Sequence, residues 1–142
     1  MQIRIEPAHI HDAPQLAALL TQLGYPASTQ QTLKKIQEHQ NPGYYLLVAR
    51  DEHYTIGFIS LLIYSAMHHS NPIGRITAFC VDESVRGSGV GGQLLLAAEA
   101  YFQTQDCFKV ELTSNLKRVD SHDFYLNRGY TITNKHFIKI LK

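Results

Sequence analysis

A chain of 142 residues fits one domain, long enough to bury roughly two-thirds of the surface its unfolded form exposes. Its 13 basic and 12 acidic side chains leave a formal charge of +1, which argues against a nucleic-acid binder with its usual basic stripe. The apolar fraction is 44%, and no run approaches the ~18 apolar residues of a membrane span, so neither nucleic acid nor membrane is expected as a partner.

Met1-Gln2-Ile3-Arg4-Ile5-Glu6 alternates as a strand does and lacks the apolar core of a signal peptide, so the expected compartment is the cytoplasm. Asp12 stands where a helix cap would, and Pro14 suits a first turn. Leu16, Leu19, Leu20 and Leu23 then mark one apolar face. Gly24-Tyr25-Pro26 stops this helix. Ser28 or Thr29 caps a second, more polar one carrying Leu33 and Ile36, which Asn41-Pro42-Gly43 ends. The pair is expected over one side of a sheet.

Tyr44 to Arg50 reads as a strand, Asp51-Glu52-His53-Tyr54 as a hairpin turn, and Thr55 to Tyr64 as the returning strand. Met67 to Pro72 forms a loop, followed by the apolar run Ile76-Thr77-Ala78-Phe79-Cys80-Val81. Val90, Leu94, Leu95, Ala98, Tyr101 and Phe102 recur at helical spacing, and Phe108 to Thr113 alternates again. Asp120 caps a short helix, Ser121 to Arg128, closed by Gly129. Two strands complete the chain, Tyr130–Thr133 and His136–Leu141. The order βααβββαβαββ predicts an α/β layered domain with a mixed, mostly antiparallel sheet flanked by helices, spanning residues 1–142. Cys80 and Cys107 lie in apolar strand-like runs and read as buried thiols rather than a disulfide.

Between the strand ending at Val81 and the helix starting near Val90 lies Asp82-Glu83-Ser84-Val85-Arg86-Gly87-Ser88-Gly89. A glycine-rich turn opening a helix presents free backbone N–H groups at the positive end of the helix dipole, with no side chains in the way. That is a phosphate cradle, unless it is only a tight turn. No Lys-Ser or Lys-Thr pair closes it as a P-loop would. Gly87-Ser88-Gly89-Val90-Gly91-Gly92 nearly meets the dinucleotide fingerprint, but that motif belongs at a first strand and here lies past the middle.

Arg86-Gly87-Ser88-Gly89-Val90-Gly91 fits Arg/Gln-x-x-Gly-x-Gly, and so resembles the pyrophosphate loop of the GNAT superfamily of acyl-CoA-dependent N-acyltransferases. The stretch from Asn115 to Tyr130, with Phe124-Tyr125 and Gly129-Tyr130, is similar to that superfamily's second hallmark. Together with His68-His69-Ser70-Asn71 it is closest in pattern to the aminoalkylphosphonate N-acetyltransferases. The resemblance implies acetyl-CoA as cosubstrate. Main-chain groups of Phe79, Cys80 and Val81 would meet the pantetheine arm. Arg86, Gly87, Ser88, Gly89, Val90, Gly91 and Gly92 would hold the pyrophosphate, with Asn115 and Arg118 also on the cofactor. Tyr125 would give a proton to the departing thiolate, or else its ring packs beside Phe124 against the sheet. Tyr25, Tyr64 and His68 would line the acceptor pocket, unless Tyr25 simply packs at a helix end.

The resemblance leaves the general base open. Positions where relatives carry a glutamate are Ala78 and Thr113, and Arg118 stands where an asparagine is found. Glu111, two residues from Thr113 on the same strand face, is one candidate, and His68 or His69 another; a water chain to solvent is the third. Adjacent histidines point in different directions and have no ligand at recognised spacing, so no metal is expected. The expected activity is acetyl transfer from acetyl-CoA to a primary amine of a small molecule. The alternatives are a protein or peptide N-acetyltransferase, and a non-catalytic acyl-CoA-binding regulatory module. A homodimer stays an open option.

Overall fold

Alternation at the N-terminus does form a strand, β1 (Ile3–Pro7), antiparallel to β2 (Tyr44–Asp51) with Ile3 opposite Asp51. A two-residue turn at Glu52 and His53 leads into β3 (Tyr54–Tyr64), and β4 (Ile73–Val81) returns antiparallel to it. The fifth strand, β5 (Lys109–Glu111), runs parallel to β4, so spatial order follows chain order. The computed structural model describes residues 2–114 and 119–142, in two units, Met1–Glu111 and Leu112–Lys142. All five strands lie in the first unit.

Helix α1 (Ala13–Leu23) carries Pro14 in its first turn and ends where the Gly24 N–H reaches Leu20 and Thr21 carbonyls. Helix α2 (Thr29–Glu38) starts in a capping box: Ser28 Oγ accepts from Gln31 N–H at 3.1 Å, and Gln31 Oε1 accepts from Ser28 N–H at 2.9 Å. Leu16, Leu19 and Ile36 from these helices pack with Val48, Phe58 and Cys80 from three strands. Helix α3 (Val90–Thr104) buries Val90, Leu94, Leu95, Ala98 and Phe102. It covers the other face, since Gly57 meets Leu94 while its neighbour Phe58 joins the α1 cluster, and successive strand residues face opposite ways. Gly74 is fixed by this packing: a Cβ there would lie 2.5 Å from the Phe102 ring.

Asp12 takes a different job from the expected cap. It makes no cap hydrogen bond to α1. Its buried carboxylate instead accepts from His9 N–H at 2.6 Å, Thr55 Oγ1 at 2.8 Å and both terminal nitrogens of Arg50. Arg50 also reaches Glu6, so one guanidinium ties β1, β2 and the start of α1 together.

The second unit contains α4 (Val119–Leu126), two residues ahead of the expected start at Ser121, ended by Gly129 at φ +89°. Arg128 lies 3.8 Å over the Phe124 ring. The layered α/β class, with its mostly antiparallel sheet flanked by helices, is as expected. The two closing strands are not: residues 130–142 form neither helix nor strand. Alternation is a property of side chains, whereas a strand exists only when its N–H and C=O groups meet a partner chain.

Candidate functional site

The glycine turn is built by three local devices. Asp82 accepts from Ser84 N–H at 2.9 Å and Ser84 Oγ at 2.8 Å, drawing Glu83–Val85 into a short 3-10 turn. Those bonds, the Ser84 N–H first, hold the Asp82 carboxyl below its ordinary value. Arg86 Nε donates back to the Val81 carbonyl at 3.0 Å, and Ser88 Oγ donates to the Val85 carbonyl. Gly89 then starts α3 at φ +92°, a left-handed conformation in which a Cβ is strained although open space surrounds it.

That start has no side-chain cap and no acid in its first turn. The first N–H groups of a helix have no intrahelical acceptor, and a fifteen-residue helix carries about half a positive charge there. Gly91 and Gly92 follow at once, at a cost of about 1 kcal/mol each in helix propensity against alanine. A helix start of this kind can receive an anion.

The strand feeding it has two irregularities. Its parallel ladder with β5 covers Ile73–Arg75, and β4 runs on through Phe79, Cys80 and Val81, which take their register from β3 among the described residues. Its register with β3 also slips, Ser60 facing Ala78 and Leu61 facing Ile76, which leaves Thr77 as a bulge residue. A bulge breaks strict alternation, and Thr77 and Ala78, though adjacent, line the same cavity.

That cavity, about 580 Å³, lies among α1, α2 and strands β2 to β4. Leu16, Leu20, Leu46 and Phe58 give it apolar walls, with Tyr25 and Pro26 among its linings. Ser60 Oγ and Thr77 Oγ1 sit 2.6 Å apart, and Thr77 Oγ1 also donates to the Ser60 carbonyl at 3.1 Å. Lys34, Lys35 and Glu38 add charge from α2, and His39 at its C-cap adds an imidazole ring. Glu38 is engaged by Lys35 at 3.0 Å, which holds its carboxyl below the usual value. Reading the sequence missed Ser60, although a lone hydroxyl in Ile56–Ile63 was the available signal.

Of the predicted acceptor residues, Tyr25 lines the cavity; Tyr64 and His68 do not. Tyr64 instead donates to Glu111 Oε1, which also accepts from Arg75 Nη1 at 3.4 Å. That bond to Glu111 raises the Tyr64 phenol above its ordinary value. The His68 and His69 rings lie 4.2 Å apart, tilted by 42°, and His69 lies 4.7 Å from the Phe108 ring. Desolvation, then the charges of His68 and Lys109, lowers the His69 pKa. Tyr125 occupies the last turn of α4, in the second unit. Asn115 and Arg118 lie outside the described residues. Both cysteines are free thiols, Cys80 buried and Cys107 half-buried. No group of three metal-ligating side chains occurs among the described residues, and no described helix is long and apolar enough to cross a membrane.

Comparison with known proteins gives these features a family. A model of the acetyltransferase (GNAT) family matches residues 12–130. An aminoalkylphosphonate N-acetyltransferase of Salmonella typhimurium is 40% identical over 86 residues, 61% of this chain and 56% of that protein. The match thus spans little more than half the length of that relative. A transcriptional regulator from Bacillus halodurans C-125 has the same fold, with a TM-score of 0.91 at 17% identity over 99% of this chain and 100% of that one. Glucosamine-6-phosphate N-acetyltransferase from Arabidopsis thaliana superposes with a TM-score of 0.85 at 18% identity, covering 100% of both chains. With the family match running from the start of α1, through the glycine turn, to the end of α4 and Tyr130, the chain belongs to the acetyltransferase (GNAT) family.

Proposed function

We propose that this chain, acting as one domain, transfers an acetyl group from acetyl-CoA to a primary amine of a small molecule. The amine nitrogen attacks the thioester carbonyl, the C–S bond breaks, the thiolate takes up a proton and the amine loses one. The observation that carries this reading is the continuous path along β4. Thr77 and Ala78 line the cavity, Phe79 to Val81 run past the end of the β5 ladder, and the uncapped start of α3 follows. The cavity therefore adjoins the strand segment that would meet the pantetheine arm. An acceptor there would reach the thioester from the α1–α2 face.

The finer reading is an amine that also carries an anionic group, such as an aminoalkylphosphonate. The 40% identical relative supports it by its name. Lys34 supports it too: it lines the cavity and makes no ion pair among the described residues. Apolar walls would hold the alkyl stem, and the Ser60–Thr77 hydroxyls are the cavity's polar pair. Acetyl-CoA as cosubstrate fits a cytoplasmic enzyme.

The test is thiol release from acetyl-CoA with aminoalkylphosphonates, polyamines, aminoglycosides and peptides. Acetyl-CoA should first raise the melting temperature by mass action. Gly89→Ala, which adds only backbone strain, should keep part of that rise. Gly89→Asp, with the same strain plus a carboxylate against the phosphates, should lose it. Equal binding by a folded Gly89→Asp variant would remove the cradle from this account. Tight binding with no thiol release for any acceptor would favour a non-catalytic acyl-CoA module, a reading kept alive by Ala78. Release with peptides alone would make the acceptor a protein N-terminus.

For the base, a solvent relay is the reading we favour. Glu38 is the carboxylate lining the cavity, and Lys35 occupies it. Glu111 is engaged by Tyr64 and Arg75. His69 is biased toward the neutral form a base needs, but neither it nor His68 lines the cavity. The expected result is that kcat/KM against pH follows the ionisation of the acceptor amine, shifting when an amine of different pKa is used. Glu111→Gln, His68→Ala and His69→Ala should each stay within ~10-fold of wild type. A loss of ~10²-fold in one variant only would identify that residue as the base and discard the relay.

A further inference from the structure

Two hydroxyls meet in the cavity because the β3–β4 register slips. Ser60 faces Ala78 and Leu61 faces Ile76, so Thr77 has no Cα partner across that ladder. In an unbroken strand Thr77 and Ala78 would point to opposite sides of the sheet. Here both line the cavity, with Thr77 beside Ser60. Ser60 is only 5% exposed, whereas Thr77 is exposed.

Between them the two hydroxyls have nothing left to donate. Ser60 Oγ and Thr77 Oγ1 are 2.6 Å apart, and either can be the donor. Thr77 Oγ1 also lies 3.1 Å from the Ser60 carbonyl, and Ser60 Oγ lies 3.5 Å from the Ala78 carbonyl. If Ser60 donates to Thr77, the Thr77 proton goes to the Ser60 carbonyl. If Thr77 donates to Ser60, the Ser60 proton goes to the Ala78 carbonyl. A hydroxyl has one proton and two lone pairs, so in both arrangements the protons are spent within the sheet and Thr77 keeps a lone pair free. An N–H is the group that such a lone pair accepts. A carboxylate, phosphonate or carbonyl oxygen finds no donor at this place.

We propose that Thr77 Oγ1 seats the acceptor nitrogen by taking one N–H of the amine, with Ser60 as the positioning residue that fixes the Thr77 hydroxyl. This rests on the acetyl-transfer reading above and adds to it where the nitrogen sits. The uncapped start of α3 lies beyond Val81, so an arm running back from it along Val81 and Phe79 brings its thioester end toward Ala78 and Thr77. A neutral primary amine has two N–H groups and one lone pair. With one N–H held by Thr77, the lone pair is turned to the thioester carbonyl, and the second N–H is left for the water that takes the proton. Threonine suits the task because its branched Cβ stiffens χ1 and so holds the oxygen in one direction. On the α2 side the cavity has the reverse character, since Lys34 only donates, so an amine with a distant anionic group enters in one orientation.

The test compares thiol release at saturating acetyl-CoA for wild type, Thr77→Val, Thr77→Ala, Thr77→Ser and Ser60→Ala. The probe is the fastest acceptor among aminoalkylphosphonates, polyamines, aminoglycosides and peptides. Thr77→Val keeps a branched strand residue of the same shape and removes the oxygen. It should lower kcat by ~10²-fold, the scale of a misplaced reactant, while the acetyl-CoA-dependent rise in melting temperature is kept. Thr77→Ala should show the same loss, which decides the matter if the valine variant does not fold. Thr77→Ser restores the oxygen and should recover most of the rate. In Ser60→Ala the Thr77 hydroxyl still has the Ser60 carbonyl to donate to, so its loss should be the smaller. Thr77→Val within a factor of two of wild type would overturn the proposal. So would Thr77→Ser as slow as Thr77→Val, because packing at the bulge and not the oxygen would then matter. A greater loss in Ser60→Ala than in Thr77→Val would put the nitrogen on Ser60 and overturn it too. No thiol release by wild type with any acceptor would instead remove the acetyl-transfer reading, and this seat with it.

Discussion

Tyr125→Phe should lower kcat by ~10²-fold or more, the usual scale for losing a general acid, while leaving the acetyl-CoA-dependent rise in melting temperature intact. A thiol of pKa near ~8.5 is a fair leaving group, but its thiolate still takes up a proton as the C–S bond breaks. The phenol would supply it. Tyr125 stands in the last turn of α4 with its ring edge-on to Phe124 at 5.3 Å and to Tyr130 at 5.7 Å. Phenylalanine keeps those ring contacts and removes only the oxygen, so the fold should be kept. That separation makes the experiment decisive. Turnover within a factor of two of wild type would leave Tyr125 as a packing residue, and the proton would have to come from another donor.

Asp12→Ala should cost about 3–5 kcal/mol of stability, because it leaves the Arg50 guanidinium without its main partner in a largely enclosed place. The measurement is the urea midpoint at constant m-value. Arg50→Met in the same chain should recover much of the loss, since removing the orphaned charge is often nearly neutral where breaking the pair is not. A double variant no more stable than Asp12→Ala would mean that the lost His9 and Thr55 bonds, not the charge, carry the effect. pH provides a second reading. Burial alone would push the Asp12 carboxyl up, but bonds from Arg50, His9 and Thr55 outweigh it and bring it below its ordinary 3.8. Since the folded value is the lower one, this stabilisation is complete above 3.8 and lost as pH falls through the folded value. Wild type should therefore lose more stability on acidification through that window than Asp12→Asn. α1 also forms a cavity wall through Leu16 and Leu20, so a raised KM should accompany the loss.

Most elements of the first unit were legible because local rules agreed with the global packing. Ser28 and Gln31 make their capping box within four residues. The apolar spacing from Val90 to Phe102 is the buried stripe of α3. The glycine turn could be read for the same reason: its chemistry is backbone chemistry, set by φ angles and the start of one helix. A cradle of N–H groups needs no distant residue to complete it.

The acceptor side was only partly legible. Tyr25 reached the cavity, but Tyr64 turned to Glu111, and the hydroxyl pair of Ser60 and Thr77 went unread. Ser60 and Thr77 are 17 residues apart, and they meet because a bulge shifts the β3–β4 register by one residue. No local pattern announces such a shift.

By itself, then, the sequence determined the layered class, the helices, the cap of α2 and the glycine turn, all of which depend on contacts within a few residues along the chain. Tertiary structure decided that Asp12 serves Arg50 and not a helix cap, that Thr77 and Ala78 open onto one cavity, and that residues 130–142 carry no ladder of their own. The physical reason is common to all three. An ion pair, a strand register and a strand partner are each chosen among residues distant along the chain, by which surfaces and polar groups remain unsatisfied once the local elements have formed.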